Sequence, residues 1–191
     1  MICKIYLNGF STSLPEEIQL SAYDEMFKAS ALKRNWDWRF LASIAYQESR
    51  YNPNARGFGG AYGMMQFMPN TGPSFDVYPD SPPEVQIDAG MRYIDMLYNS
   101  WKNIESREQR LKFTLASYNA GKGHVEDAVR LAEKLGYNPT IWDENVELMI
   151  RLLSDPVYYR NPPVKYGAYR GPAKTYVKSI YSRYMLWREN E

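Results

Sequence analysis

Phe40-Leu41-Ala42-Ser43-Ile44-Ala45-Tyr46-Gln47-Glu48-Ser49 is the stretch that decides how this chain is read. It is an apolar run that ends on a carboxylate. Leu41, Ile44 and Ala45 precede Glu48 by seven, four and three residues, so in a helix all four share one face. That is the face a helix normally turns to the core. A carboxyl group placed there loses solvent, which favours its neutral form and raises its pKa. A carboxylic acid still protonated near neutral pH is what general-acid catalysis requires. The competing reading is an ordinary one. A Glu near a helix end is usually solvated or paired with a cation, here Arg50.

Outward from this run, the chain reads as a succession of helices. Asp37 is placed to cap the Glu48 helix, after a break at Asn35-Trp36. Upstream, Ser21 and Asp24 form a capping-box pattern, followed by Tyr23, Met26, Phe27, Ser30 and Ala31 at helical spacing. Residues 1–20 show no period and read as an N-terminal tail or linker, leaving 21–191 as the folded domain. Downstream, residues 51–63 are a loop rich in glycine, and Met64–Phe67 predicts a short helix stopped by Pro69. Ser81-Pro82-Pro83-Glu84 opens a long helix through Trp101. Ser106 with Gln109 opens the next, and a helix over about 123–135 ends at Gly136. Thr140 with Asp143 opens another, stopped near Pro156. A Tyr/Pro/Gly-rich loop over 157–171 leads through Pro172 into a last helix. No convincing period-two strand appears. The expectation is one mainly α domain of about seven to nine helices.

Composition bounds the function. The 191 residues suit one domain with a full core, and 45% are apolar, which argues against disorder. Lys plus Arg number 23 and Asp plus Glu 22, for a net charge of +1, so the basic footprint of a nucleic-acid binder is missing. Aromatic residues reach 15%, with 17 Tyr and 5 Trp; these suit carbohydrate, and equally suit packing and interfaces. Cys3 is the one cysteine, so no intrachain disulfide can form. No stretch is long and apolar enough to span a bilayer. Met1–Leu7 is too short for a signal peptide, so an export signal would lie outside this chain, which could be one part of a longer protein.

Four patterns occur in order: Glu48-Ser49; Gly63-Met64-Met65-Gln66-Phe67-Met68-Pro69; Ser117-Tyr118-Asn119-Ala120-Gly121; and Tyr176-Val177. Singly each has a structural reading: Asn and Gly end helices, Gln66 is a solvated amide, and Met64, Met65 and Met68 fill a core. Together, from about residue 22 to about 185, they resemble the lytic transglycosylase domain of the soluble lytic transglycosylase (SLT) type, related to goose-type lysozyme. Trp36-Asp37-Trp38-Arg39 and Tyr46-Gln47-Glu48-Ser49-Arg50 look most like the C-terminal catalytic module of the membrane-bound lytic murein transglycosylase F family.

The resemblance implies a lysozyme-like (goose-type) helical fold. It also implies cleavage of the β-1,4 bond between N-acetylmuramic acid and N-acetylglucosamine in peptidoglycan, leaving 1,6-anhydromuramic acid ends. Glu48 would be general acid and then general base. Ser49, Gln66, Met68 and Asn119 would line the sugar cleft, Tyr118 would hydrogen-bond near Glu48 and orient it, and Tyr176 would close the site. The family often has Glu where this chain has Pro172, and Arg170 or Tyr169 are candidates to replace that contact. The resemblance needs no metal or other cofactor. Its partner is the peptidoglycan glycan strand, met by a monomer in the periplasm or cell envelope. Outer-membrane association and a regulatory domain N-terminal to this part would belong to the full-length protein.

Most glycosidases use two carboxylates, at about 5–5.5 Å or about 6.5–9.5 Å. Asp37 lies eleven residues before Glu48, roughly 16 Å along a helix, too far for either geometry. The next acid after Glu48 is Asp76. Asp76, Asp88 and Asp143 remain open as distant partners. With Glu48 alone, the nucleophile comes from the substrate, and the resemblance supplies the muramic acid C6 hydroxyl. A goose-type hydrolase and a non-catalytic peptidoglycan-binding module stand as alternatives. His124, the sole His, is assigned no role.

Overall fold

In this computed structural model, residues 19–189 are described. The expected tail therefore lies outside the described residues, apart from its last two. Among the described residues eight α-helices follow one another: α1 (Asp24–Leu32), α2 (Trp38–Ser49), α3 (Pro83–Ser100), α4 (Arg107–Ala120), α5 (Lys122–Leu135), α6 (Glu147–Leu152), α7 (Pro156–Tyr159) and α8 (Ala173–Glu189). Among the described residues the only sheet-like pairing is two isolated bridges, Arg56 with Tyr62 and Tyr62 with Phe67.

Helix α2 is the centre of the arrangement. It starts where expected, with the Asp37 side chain accepting from the Arg39 N–H at 3.0 Å. Its residues Trp38 to Ala45 are all buried. Leu41, Ile44 and Ala45 are fully so. Phe40, Leu41 and Ile44 each contribute about 1.5–3 kcal/mol on burial. α1 and α8 pack on α2, and α8 also packs on α4, which in turn packs on α3 and α5. α2, α4 and α8 thus meet, and each carries one of the four patterns into the same region.

Several ends differ from expectation. α1 begins at Asp24, with Ser21 hydroxyl donating to the Asp24 carboxylate and the Leu20 N–H closing on its other oxygen; the capping residues bond, but ahead of the helix. The Ser81 box does not cap α3: Ser81 accepts from the Tyr78 N–H, and Pro82 stands at the cap without a side-chain bond. Nor does Thr140 open a helix with Asp143. Thr140 turns to Asn138, Trp142–Val146 form a π-turn with Glu144 at φ 55°, and α6 starts only at Glu147. Met64–Phe67 is no helix either. Tyr62 and Phe67 exchange two backbone hydrogen bonds, at 3.0 and 2.9 Å, and Gln66 takes φ 50°, so the segment is a tight hairpin-like turn. Ser106 and Gly136 cap α4 and α5 as expected.

Candidate active site

Glu48 sits in the last turn of α2, above the buried Leu41–Ala45 surface. Burial pushes its pKa from 4.5 up to about 7, against the hydrogen bond from Tyr176, which lowers it. A protonated fraction of Glu48 therefore persists near neutrality. The ordinary alternative, an ion pair with Arg50, is not formed. Arg50 turns into the left-handed region at φ 55°, and its guanidinium lies 4.0 Å from the Tyr46 ring centre.

Tyr176, in the first turn of α8, donates its hydroxyl to Glu48 Oε1 at 2.5 Å. Tyr118, in the last turn of α4, donates instead to the Met65 carbonyl at 2.7 Å. The expected assignment is thus reversed: Tyr176 holds the carboxyl group, while Tyr118 ties α4 to the Met64–Met68 turn. The reason is reach across the interface, since α8 packs directly on α2. Burial and the proximity of Glu48 push both tyrosines far above the ordinary phenol range, so both remain donors. Tyr93 of α3 packs tilted against Tyr118, with ring centres 5.2 Å apart, and extends the aromatic wall to Phe75 and Phe67. Sequence reasoning missed Tyr93; its position in a long amphipathic helix carried no special signal.

The remaining candidates divide. Ser49 donates to the Met64 carbonyl at 2.8 Å, so it fastens α2 to the turn instead of presenting a free hydroxyl to a cleft. Gln66 donates to the Gly63 carbonyl at 2.9 Å, and its Oε1 lies where a Cβ on Gly57 would fall, so a side chain at position 57 would displace the Gln66 amide. Met68 is 42% exposed beside Gly59, a flexible thioether open to a ligand. The side-chain oxygen of Asn119 accepts from the Tyr169 hydroxyl at 2.9 Å, and Tyr169 in turn accepts from the Ala173 N–H at 3.1 Å. Tyr169, one of the two candidates to replace the Glu contact, therefore bonds directly to Asn119, itself a candidate cleft residue. Arg170 instead faces a separate cavity. The His124 ring lies 5.5 Å from Tyr169 and packs there.

The distant carboxylates are committed elsewhere. Asp37 pairs with Arg39, Asp76 with Arg92, Asp88 with Arg34 and Arg92, and Asp143 with Lys112. None is among the causes of the Glu48 shift. Among the described residues, no three His, Cys, Asp or Glu side chains group to hold a metal. The chemistry on offer is a single protonated carboxyl group, oriented by a phenol, in an aromatic surround.

Removing the Tyr176 hydroxyl tests that coupling. The bond stabilises the ionised carboxylate, so Tyr176→Phe is expected to raise the Glu48 pKa further. The alkaline limb of any Glu48-dependent activity should move to higher pH, with a lower rate at its optimum. A pH profile superimposable on that of the parent protein would remove Tyr176 from the site.

The family model for the transglycosylase SLT domain matches residues 25–141. The membrane-bound lytic murein transglycosylase F of Aeromonas salmonicida is 36% identical over 175 residues, 90% of this chain and 34% of the relative. That of Haemophilus influenzae is 38% identical over 181 residues, 94% of this chain and 35% of the relative. This chain thus spans about a third of the length of these curated relatives. Among solved structures, an inactive mutant of lytic transglycosylase Slt from Pseudomonas aeruginosa aligns with TM-score 0.58 at 20% identity, over 88% of this chain and 24% of that one. The 70 kDa soluble lytic transglycosylase from Escherichia coli aligns with TM-score 0.57 at 25% identity, with the same coverage of 88% and 24%.

Proposed function

Since this chain belongs to the transglycosylase SLT domain family, we propose that it is a lytic transglycosylase acting on peptidoglycan, with Glu48 as acid and then base. The observation that carries the reading is the state of Glu48: half-buried, with a pKa raised by desolvation to about 7, and held by Tyr176 with no carboxylate partner among the described residues. Protonated Glu48 gives its proton to the glycosidic oxygen as the C1–O bond of N-acetylmuramic acid breaks. The N-acetylglucosamine leaves as an alcohol. The Glu48 carboxylate then takes the proton of the muramic acid C6 hydroxyl while that oxygen bonds to C1. The product is a 1,6-anhydro end, and Glu48 is again protonated. One group serves both steps because each returns what the other used.

Ser49 and Gln66 contribute by shaping the turn that flanks Glu48, and Met68 and Asn119 by contact with sugar. The reading puts the protein in the cell envelope, as the name of its membrane-bound relatives suggests, acting as a monomer on glycan strands. No described helix is long and apolar enough to cross a membrane. The greater length of the relatives leaves room for a regulatory domain beyond the part matched here.

Mass spectrometry of digested, purified peptidoglycan is the test. Anhydro-muropeptides are expected; reducing muramic acid ends would make the protein a hydrolase, and binding without turnover a non-catalytic module. The rate should also follow the acid form of Glu48. Above a pKa of about 7 it should fall, approaching tenfold per pH unit. A flat profile from about pH 5 to about pH 9 would remove Glu48 as the acid.

A further inference from the structure

Phe58 is the most exposed large apolar side chain among the described residues, at 101%. It stands at the tip of the glycine-rich loop, and that tip is a closed turn. The Gly57 N–H donates to the Ala61 carbonyl at 2.8 Å, the Ala61 N–H donates to the Phe58 carbonyl at 3.3 Å, and Arg56 pairs with Tyr62 at the base. Gly59 and Gly60, at φ 67° and 83°, make the turn possible. The backbone around the ring is therefore defined, while the ring itself stays in solvent.

The tip lies along the Met64–Met68 turn that flanks Glu48. A Cβ on Gly59 would come 3.1 Å from the Met68 Cε methyl, and one on Gly60 would come 3.2 Å from the Pro69 ring. Met68 and Pro69 are exposed as well. Ser49 and Tyr118 fasten the other end of this turn, at the Met64 and Met65 carbonyls, to α2 and α4. Phe58 thus stands beside an exposed apolar strip that continues the candidate site and lies at the end of the turn remote from those anchors. Asn70 adjoins the strip with an exposed amide, which can donate to a sugar hydroxyl or acetamido oxygen.

An aromatic face carries partial negative charge and attracts partly positive C–H groups. A pyranose presents such C–H groups from one face and its polar groups around the edge. A ring open to stacking, a pliable thioether next to it and an amide at the rim match that pattern. The strip is too small for a stable protein partner, which covers about 800 Å² on each side. We propose that Phe58 is a stacking platform for an N-acetylhexosamine ring of the glycan strand, at a subsite beyond the two sugars that flank the cleaved bond. The inference rests on the peptidoglycan reading and deepens it: the chain grips its strand at a distance from the cut.

Phe58→Ala is expected to raise KM on long glycan strands by about five- to tenfold, with kcat within about twofold of the parent value. A contact away from the reacting bond is made equally in the ground and transition states, which is the origin of that split. Phe58→Trp should restore KM, and the Tm of Phe58→Ala should match the parent, since the ring is buried against nothing. An unchanged KM in Phe58→Ala, or a fall in kcat larger than the rise in KM, would overturn the proposal. So would a lower sedimenting mass in Phe58→Ala than in the parent, which would assign the ring to a contact between copies of this chain. If the parent protein cleaves no strand, the transglycosylase reading itself has failed. Titration with chitohexaose, a β-1,4 hexamer of N-acetylglucosamine, followed by the NMR signal of the Met68 methyl group, then decides the platform alone. A shift that Phe58→Ala abolishes supports it; a shift that persists in Phe58→Ala, or none in the parent chain, sinks it.

Discussion

Glu48→Gln is expected to cut the release of anhydro-muropeptides by a thousandfold or more and, at the same time, to make the folded protein more stable above neutral pH. Loss of a positioned acid or base generally costs about 10²–10⁴ in rate, and here one residue holds both offices, which places the loss at the upper end. Glutamine keeps the shape and can still accept the Tyr176 hydroxyl, but it cannot release or take a proton at the glycosidic oxygen. A variant retaining a tenth of the parent rate would be incompatible with Glu48 as the acid.

The stability gain follows from the same burial. Folding raises the Glu48 pKa from 4.5 to about 7, so the folded state favours the protonated acid. That contribution is complete below pH 4.5 and is lost as pH rises through about 7, where the ionised carboxylate must remain buried. The span corresponds to about 3 kcal/mol. Glutamine incurs no such penalty. The two proteins should melt together at about pH 4.5, and by about pH 8 the variant should melt about 6–10 °C higher. A Tm difference independent of pH would mean that Glu48 is solvated in the native state, and the basis for its acid role would go with it. Greater stability with lost activity is the pattern expected where a fold tolerates a costly group for its chemistry.

Glu48 was legible because its surroundings are local. The fully buried Leu41, Ile44 and Ala45 lie seven, four and three positions earlier on the same helix, and helical periodicity alone puts all four on one face. The caps at Asp37, Ser106 and Gly136 were legible for the same reason. The misread segments are those whose polar groups are engaged from a distance. Asp143 looks like the far end of a capping box, yet its carboxylate goes to Lys112 and Gln109, more than thirty residues away in sequence, and the chain kinks to allow it. Tyr118 and Tyr176 were both singled out as candidates by pattern. Which of the two reaches Glu48 depends on how α8 lies against α2, and no local signal encodes that. The Met64–Phe67 turn was misread because its conformation is imposed from α3 by Gln86, an amide that looked like any other polar residue in an amphipathic helix.

Gln86→Leu should therefore damage both stability and the candidate site from outside the chemistry. Gln86 is 2% exposed. Its Oε1 accepts from the Met64 N–H at 2.5 Å, and its Nε2 donates to the carbonyls of Ser81 at 2.7 Å and Pro53 at 3.1 Å. Three separate backbone segments are thus closed by one amide. Gly63 makes the approach possible: it takes φ 78°, and a Cβ there would come 2.5 Å from Gln86 Oε1. Leucine fills much of the same space but leaves the Met64 N–H buried without an acceptor, at about 1–3 kcal/mol, and forfeits the two donated bonds as well. A total of about 2–4 kcal/mol corresponds to a fall in Tm of about 6–12 °C for a domain of this size. The damage should also reach the site at temperatures where the domain is still folded. The freed turn carries the Met64 carbonyl that takes the Ser49 hydroxyl and the Met65 carbonyl that takes the Tyr118 hydroxyl, so α2 and α4 lose their common anchor. Amide exchange separates the two effects: protection of the Met64 N–H should collapse in Gln86→Leu, while that of the buried α2 amides from Leu41 to Ala45 falls only with global stability. If the Met64 amide stays as protected as the α2 amides, the turn is held by its own hairpin bonds and Gln86 is a passenger.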